Sequence, residues 1–388
     1  KRILEFSPRF VKLYEINLLY MNYLMNNNDF LLDNERNIEK TRELYFKMNY
    51  EDKYKIDEQE MYNNMFTCEV KDFVKNLNYN EICINYNKKM KEIDFSFDED
   101  DLLWFLDDDE KEKIKSKLEK EEKKLKVAVA NMKVKYSDVM LSLTEPNISK
   151  ERLEDLFKIL NMAKEEKADM LIFPEMAIPF CWLSFISKFA EENDIAIICG
   201  LEYFVDHNKT AYNTLATILP FKIDIYDSAL IKLRIKNHYA PQEKLELISK
   251  GFKVPLINSY TYDLFKWKNI SFACYNCFEL TDIVHRSIFK SKIDLMVAAV
   301  YNHDTNYFSN IVESTARDLH CYFVLVNSSD LGDTRITMPT KTEEKNLLKI
   351  KGGINSVVLT EELSIKELRE FQLLEFKEQK EYIKKDIS

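Results

Sequence analysis

Lys268-Asn-Ile-Ser-Phe-Ala-Cys274-Tyr-Asn-Cys277-Phe-Glu279-Leu-Thr-Asp282 is the stretch from which the fold can be read. Ile270, Phe272 and Cys274 alternate with Ser271, Ala273 and Tyr275, the period-two pattern of a strand with two different faces. Thr281 and Asp282 then supply capping side chains, which predicts a helix over 281–291. A thiol at the junction between strand and helix sits near free backbone N–H groups and the positive end of a helix, where a thiolate or a developing oxyanion is favoured. For a single cysteine, half-buried packing is the default role. Two other stretches of the chain weigh against that default.

On either side of this stretch, strands and helices alternate. Strands are predicted at 126–131, 168–174, 195–204, 212–219, 222–231, 294–300, 321–327 and 354–359. Helices are predicted at 149–166, 182–193, 306–319 and 362–370. Near-continuous apolar strands separated by amphipathic helices point to an α/β fold with sheets covered by helices. Residues 1–125 read differently, as a mainly helical N-terminal segment ahead of an α/β domain over 126–388. Phe10, Leu13, Tyr14, Ile16, Leu18, Tyr20, Met21 and Leu24 recur at three- and four-residue spacing and predict a helix over 8–26. Further helices are expected between 34 and 92. No glycine precedes Gly200, so the first half of the chain has no phosphate-cradling loop. The acidic residues of 98–110 and the Lys/Glu run of 111–126 read as a solvated helix matched to its own dipole, with a partner-binding arm or cation site as the sharper alternative.

Bulk composition narrows the function. The chain has 388 residues, 46% apolar and 31% charged, long enough for one large domain with an appendage. Lys and Arg number 56 against 66 Asp and Glu, a formal charge of −10 that disfavours a broad phosphate-binding surface. Seven scattered cysteines are too few and too irregular for a secreted disulfide framework, which predicts a reducing, cytoplasmic setting. No run approaches the roughly 18 apolar residues of a membrane span. A start at Lys1 without Met predicts a trimmed chain or a piece of a longer polypeptide.

Three residues outside the local pattern suggest chemistry. Glu175 follows the strand-like Leu171-Ile-Phe-Pro174, where a carboxylate can enter a crevice at a strand's C-terminal end. Leu233-Arg-Ile-Lys236-Asn-His238-Tyr-Ala-Pro241-Gln-Glu243 gathers an ammonium, an imidazole and a carboxylate after another strand. With a cysteine as third member, a base for the thiol proton, a cation for an oxyanion and a nucleophile make up an apparatus for acyl transfer that needs no metal and no cofactor.

Phe173-Pro174-Glu175, Lys236-x-His238-x-x-Pro241-x-Glu243 and Cys277-Phe278-Glu279 resemble, in order, the three signatures of the nitrilase or carbon–nitrogen hydrolase superfamily. Ala316-Arg317 leading into a strand that ends at Asn327, and Gly332-Asp-Thr with Pro339, resemble segments further along that family. The resemblance implies an α-β-β-α sandwich, with Glu175 as base, Lys236 as oxyanion holder, Cys277 as nucleophile and Glu243 orienting Lys236. It implies a small amide, nitrile or carbamoyl substrate and a homo-oligomer. The family's small residue four positions before the thiol and acid two after it match Ala273 and Glu279, so Cys277 is preferred and Cys274 is the alternative nucleophile. Cys274-x-x-Cys277 also reads as a redox pair or as half of a metal site, the latter lacking a second pair. Leu280-Thr-Asp282 departs from the family's usual aromatic-Pro-Glu continuation.

Asn302, His303 and Asp304 follow a strand at the same expected rim, as substrate-binding residues or equally as a capped helix start. His238 reads as a structural hydrogen-bond donor, and His207, His285 and His320 as incidental. Cys277–Asp282, 304–310 and 339–345 with Gly352-Gly353 further resemble the C-terminal nitrilase-like domain of bacterial reverse transcriptases associated with antiphage defence. That likeness implies an upstream polymerase module in the same polypeptide, although 1–125 holds no Tyr-x-Asp-Asp motif. The rival to an enzyme is a nitrilase-like scaffold for assembly or sensing.

Overall fold

The computed structural model describes residues 124–223, 226–257, 260–290, 292–340 and 345–373, the backbone of 67–74 and 77–84, and residues 12, 14, 15 and 18. Its strands are β1 (Thr67–Val74), β2 (Leu77–Ile84), β3 (Lys124–Asn131), β4 (Met170–Ile172), β5 (Ala196–Val205), β6 (Ala211–Ile223) and β7 (Tyr226–Ile235). They continue with β8 (Tyr260–Trp267), β9 (Ile270–Asn276), β10 (Leu295–Ala299), β11 (Tyr322–Val326), β12 (Thr334–Thr337), β13 (Asn346–Ile350) and β14 (Val357–Ser364). The helices are α1 (Tyr136–Leu141), α2 (Lys150–Glu165), α3 (Leu183–Asn193), α4 (Pro241–Ser249), α5 (Ile283–Ser287), α6 (Thr305–Leu319) and α7 (Ile365–Leu373). The strands form a six-stranded sheet, β14-β3-β4-β5-β6-β7, and an eight-stranded sheet, β1-β2-β8-β9-β10-β11-β12-β13.

Period-two alternation sorts the side chains into layers. On β3, Leu125, Val127 and Val129 enter the core between the sheets, while Ala128 and Ala130 face α2 and α3. On β9, Ile270, Phe272 and Cys274 enter that same inter-sheet core, while Ala273 and Tyr275 face outward toward α6. The outer helices seal those faces with Leu156, Ile159 and Leu160 of α2 on one side and Phe308, Ile311 and Val312 of α6 on the other. The result is a four-layer α-β-β-α sandwich, as the motifs imply. Each of these buried aliphatic side chains contributes about 1.5–3 kcal/mol. A one-residue slip of β9 would forfeit several at once, so the register that sends Cys274 inward is strongly held.

Several elements differ from expectation. Where helices are expected between 34 and 92, the structure has the antiparallel hairpin β1–β2, and β2 pairs in parallel with β8, across the division at 125. The expected strand at 222–231 is β7 with shifted bounds, because β6 runs on to Ile223 and β7 spans Tyr226–Ile235. The segment Thr334–Thr337 is a strand and not a loop, and β8, β13 and α4 were not legible at all. The helix expected at 281–291 is shorter, a 3-10 turn at Cys277–Thr281 followed by α5. Tyr14, Glu15 and Leu18 are helical, as the 8–26 pattern predicts. The remainder of that helix, the acidic residues of 98–110 and the charge run as far as 123 lie outside the described residues. Among those described, no helix is long and apolar enough to cross a membrane.

Candidate active site

Glu175 leaves β4 through a bend that only a close neighbour makes possible. A Cβ on Gly200, in the adjacent β5, would lie 2.4 Å from the Glu175 Cα and 2.7 Å from the Met176 nitrogen. The first glycine of the chain is therefore required where the backbone carrying Glu175 folds over β5. Met176 accordingly takes a left-handed φ of 59°. Lys236 follows the last residue of β7, and its N–H bonds to the Asn213 carbonyl at 2.8 Å. Glu243 lies in the first turn of α4 and accepts the Ala240 N–H at 3.1 Å. Cys277 opens the 3-10 turn after β9 with a φ of 46°, a strained conformation for a residue with a side chain.

These four side chains converge. The Lys236 ammonium donates to Glu175 Oε1 at 2.8 Å and to Glu243 Oε2 at 2.7 Å. Asn213 Nδ2 bridges the same two carboxylates, at 2.8 Å from Glu175 Oε1 and 3.0 Å from Glu243 Oε1. The Tyr203 hydroxyl donates to Glu243 Oε1 at 2.9 Å. One peptide touches both carboxylate and thiol: the Tyr301 N–H donates to Glu175 Oε2 at 3.0 Å, and the Tyr301 carbonyl accepts a long contact from Cys277 Sγ at 3.9 Å. Glu175, Lys236 and Cys277 are 3%, 2% and 7% exposed, so the network works in a low-dielectric setting.

Burial and charge divide the protons unequally. Burial would depress the Lys236 pKa, but the Glu175 and Glu243 carboxylates beside it push it well above the ordinary lysine value, so it stays an ammonium. Burial works to raise the Glu243 carboxyl, and the Lys236 charge overcomes it and holds the group below its ordinary value. Burial raises the Cys277 thiol well above its usual value, and the Glu175 charge adds to that against the opposing pull of Lys236. The Cys277 thiol is therefore protonated at rest.

The turn that holds Cys277 is itself anchored by a buried ion pair. Glu279, fully buried, accepts two bonds from Arg234 at 2.6 and 2.8 Å, together with the N–H groups of Asn237 at 2.6 Å and Asn276 at 2.7 Å. It therefore joins the segment after Lys236 to the residue before Cys277. Asn276 donates from its side chain to the Asn213 side chain at 2.8 Å. Asn213, Tyr203, Arg234 and the Tyr301 backbone escaped the sequence reading. An Asn inside the apolar run of β6 was the available signal, since a buried amide needs partners.

Other candidates separate from the network. Cys274 points into the inter-sheet core, where burial pushes its thiol up to about 12. Both Cys274 and Cys277 are free thiols. The Asn302 side chain accepts from the Asp304 N–H at 2.8 Å, and the Asp304 side chain caps α6 by accepting from the Tyr307 N–H at 3.1 Å. Those two side chains serve a capped helix start, while His303 is exposed with its ring 6.0 Å from that of Tyr301. His285 is not incidental: its Nδ1 lies 2.8 Å from Nε2 of His238.

No family model and no curated protein sequence matches the chain. Among solved structures it is similar to an amidase from Nesterenkonia sp., with a TM-score of 0.45 and 15% identity over 63% of this chain and 92% of that one. It is likewise similar to Nit3 of Saccharomyces cerevisiae, a nitrilase superfamily member, with a TM-score of 0.47 and 15% identity over 64% and 93%. A CN-hydrolase superfamily protein from Xanthomonas campestris aligns at 13% identity and a TM-score of 0.46 over 64% and 94%.

Proposed function

We propose that the protein is a thiol-dependent hydrolase of non-peptide carbon–nitrogen bonds in a small amide, nitrile or carbamoyl compound. The observation that carries this reading is the convergence of Glu175, Lys236 and Glu243 in one buried hydrogen-bonded unit, with Cys277 against the same Tyr301 peptide. An ionised carboxylate offers about four acceptor sites. Glu175 already uses three, for Lys236, Asn213 and the Tyr301 N–H, which leaves capacity for the thiol proton.

For an amide, Cys277 Sγ attacks the carbonyl carbon as its proton passes to Glu175, and the Lys236 ammonium holds the oxyanion that forms. Glu175 then gives that proton to the departing amine, and the C–N bond breaks to leave a thioester on Cys277. Water attacks the thioester, its proton returning to Glu175. Collapse of this second intermediate releases the carboxylic acid, and the proton goes back to sulfur. Glu243 keeps Lys236 charged and aimed throughout. Asn302, His303 and Asp304 form the outer rim of substrate approach in this reading, His303 being the one with an uncommitted exposed side chain.

Cytoplasmic residence, which rests on cysteine usage, belongs to the same reading, as do a homo-oligomer and a place as the nitrilase-like module of an antiphage reverse transcriptase, which rest on the motif likenesses alone. Intact-mass measurement after exposure to an iodoacetamide-type alkylator and to amide and nitrile libraries tests the chemistry. The wild type and Cys274→Ala are expected to gain one more alkyl group than Cys277→Ala, in which the exposed Cys181 still reacts, and substrate-derived adducts are expected on the first two proteins alone. An adduct that disappears only with Cys274→Ala would overturn the assignment.

A further inference from the structure

A second cluster of ligating side chains lies beside the segments that carry Lys236 and Cys277. His238 comes two residues after Lys236, while Asp282 and His285 flank the start of α5, just beyond the Cys277 turn. His238 Nε2 and His285 Nδ1 are 2.8 Å apart, and the Tyr262 hydroxyl is also 2.8 Å from that Nδ1. Asp282 Oδ2 lies 3.9 Å from His285 Nε2. One ligand atom from each of His238, Asp282 and His285 falls within 4.8 Å of the others. An imidazole nitrogen has one in-plane lone pair or one proton, so His285 Nδ1 cannot bond well to both neighbours at once. A cation would take up the lone pairs that this crowding sets against each other.

We propose that His238, Asp282 and His285 form a binding site for a transition-series divalent cation such as Zn²⁺. Two imidazoles and one carboxylate suit Zn²⁺, Co²⁺ or Ni²⁺ and not the oxygen-seeking Mg²⁺ or Ca²⁺. Burial lowers the pKa of both rings, which leaves them neutral and able to ligate near pH 7. The site is walled and oriented. The His238 ring packs 4.5 Å from Tyr260, the Tyr262 ring meets His285 edge-on at 5.4 Å, and the Tyr275 hydroxyl bonds the His285 carbonyl at 2.7 Å. His238 and Asp282 are only partly buried, which provides an entry path. Tetrahedral Zn–N bonds of about 2.0–2.1 Å set two nitrogens roughly 3.3 Å apart. The rings therefore separate by about half an ångström when the ion enters. The ion clamps the segment after Lys236 to the segment after Cys277, whatever reaction those residues perform.

The test is Co²⁺ titration of the full chain without a polyhistidine tag, followed by visible absorption, with thermal unfolding in Zn²⁺ alongside. One Co²⁺ per chain with d–d bands and no thiolate charge-transfer band is expected. Affinity should weaken about tenfold or more in His238→Ala, and Zn²⁺ should raise the melting temperature of the wild type but not of that variant. Because His238 is partly exposed, its removal leaves the fold intact where loss of buried His285 would not; His285→Asn is the companion variant. Absence of uptake, uptake unchanged by His238→Ala, or a thiolate band that vanishes with Cys277→Ala would each overturn the proposal.

Discussion

Replacing Lys236 by Met removes one charge from the centre of the site while keeping nearly the same length of side chain. In the wild type this ammonium is 2% exposed and donates to Glu175 at 2.8 Å and to Glu243 at 2.7 Å. Its loss leaves two carboxylates facing each other across a buried cavity. Removing one partner of a buried pair costs about 3–5 kcal/mol, in line with two charge-assisted hydrogen bonds at about 1.5–3 kcal/mol each. The cost depends on pH with a definite sign. In the wild type, Lys236 holds Glu243 below its ordinary 4.5, so Glu243 contributes stability above that pH and loses it as pH falls. In the variant, burial without the cation raises the Glu243 carboxyl, whose contribution is then present in acid and lost as pH rises. One carboxyl changes stability by up to about 1.4 kcal/mol per pH unit, so the gap to wild type opens as pH rises above the ordinary carboxyl value. Urea unfolding of both proteins from pH 4 to 8 measures it, with Lys236→Met/Glu243→Gln expected to recover part of the loss. A gap below about 1 kcal/mol at every pH, the size of a surface pair, would refute the reasoning.

Gly200→Ala drives a methyl group to 2.4 Å from the Glu175 Cα, so the backbone itself must shift. We expect a loss of about 1–3 kcal/mol or more in urea unfolding, and slower alkylation of Cys277 as Glu175 moves; an unchanged rate would separate Glu175 from the thiol. At the alkaline end, burial raises the Cys199 and Cys274 thiols from the ordinary 9.0 to about 12. Their contribution is complete below the ordinary value and is lost as pH climbs toward 12, at up to about 1.4 kcal/mol per unit for each thiol. A urea midpoint that falls from pH 9 upward, less steeply in Cys199→Ala, checks this, and a flat profile would contradict it.

How much of the site could be read in advance depended on where each contribution lies along the chain. Glu175, Lys236 and Cys277 each follow the end of a strand within three positions, and a polar residue beside an apolar run is visible over so short a distance. The Tyr301 peptide reaches Glu175 across 126 positions, and its backbone groups carry no identity that a residue type could announce. Asn213 acts as a bridge only because β6 lies beside β7 and near β9. His285 looked incidental because its partner His238 is 47 positions away. The hairpin β1–β2 was hidden by a composition of Asn, Lys and Tyr that suits several local structures, so its pairing with β8 decided the outcome.

The amino-acid order alone determined the alternation of β9 and the succession of apolar strands and amphipathic helices, and with it an α/β fold of helix-covered sheets, because side-chain period is a local property of the backbone; the four-layer sandwich came from the motif resemblance. It also determined which strand ends carry an acid, an amine and a thiol. Only the tertiary structure decided that Cys274 is buried between the sheets while Cys277 meets the Glu175 network, and that two histidines and an aspartate gather beside it. The physical reason is that hydrogen bonds and burial act over a few ångströms in space, whatever the separation along the chain, and packing of the two sheets sets those distances.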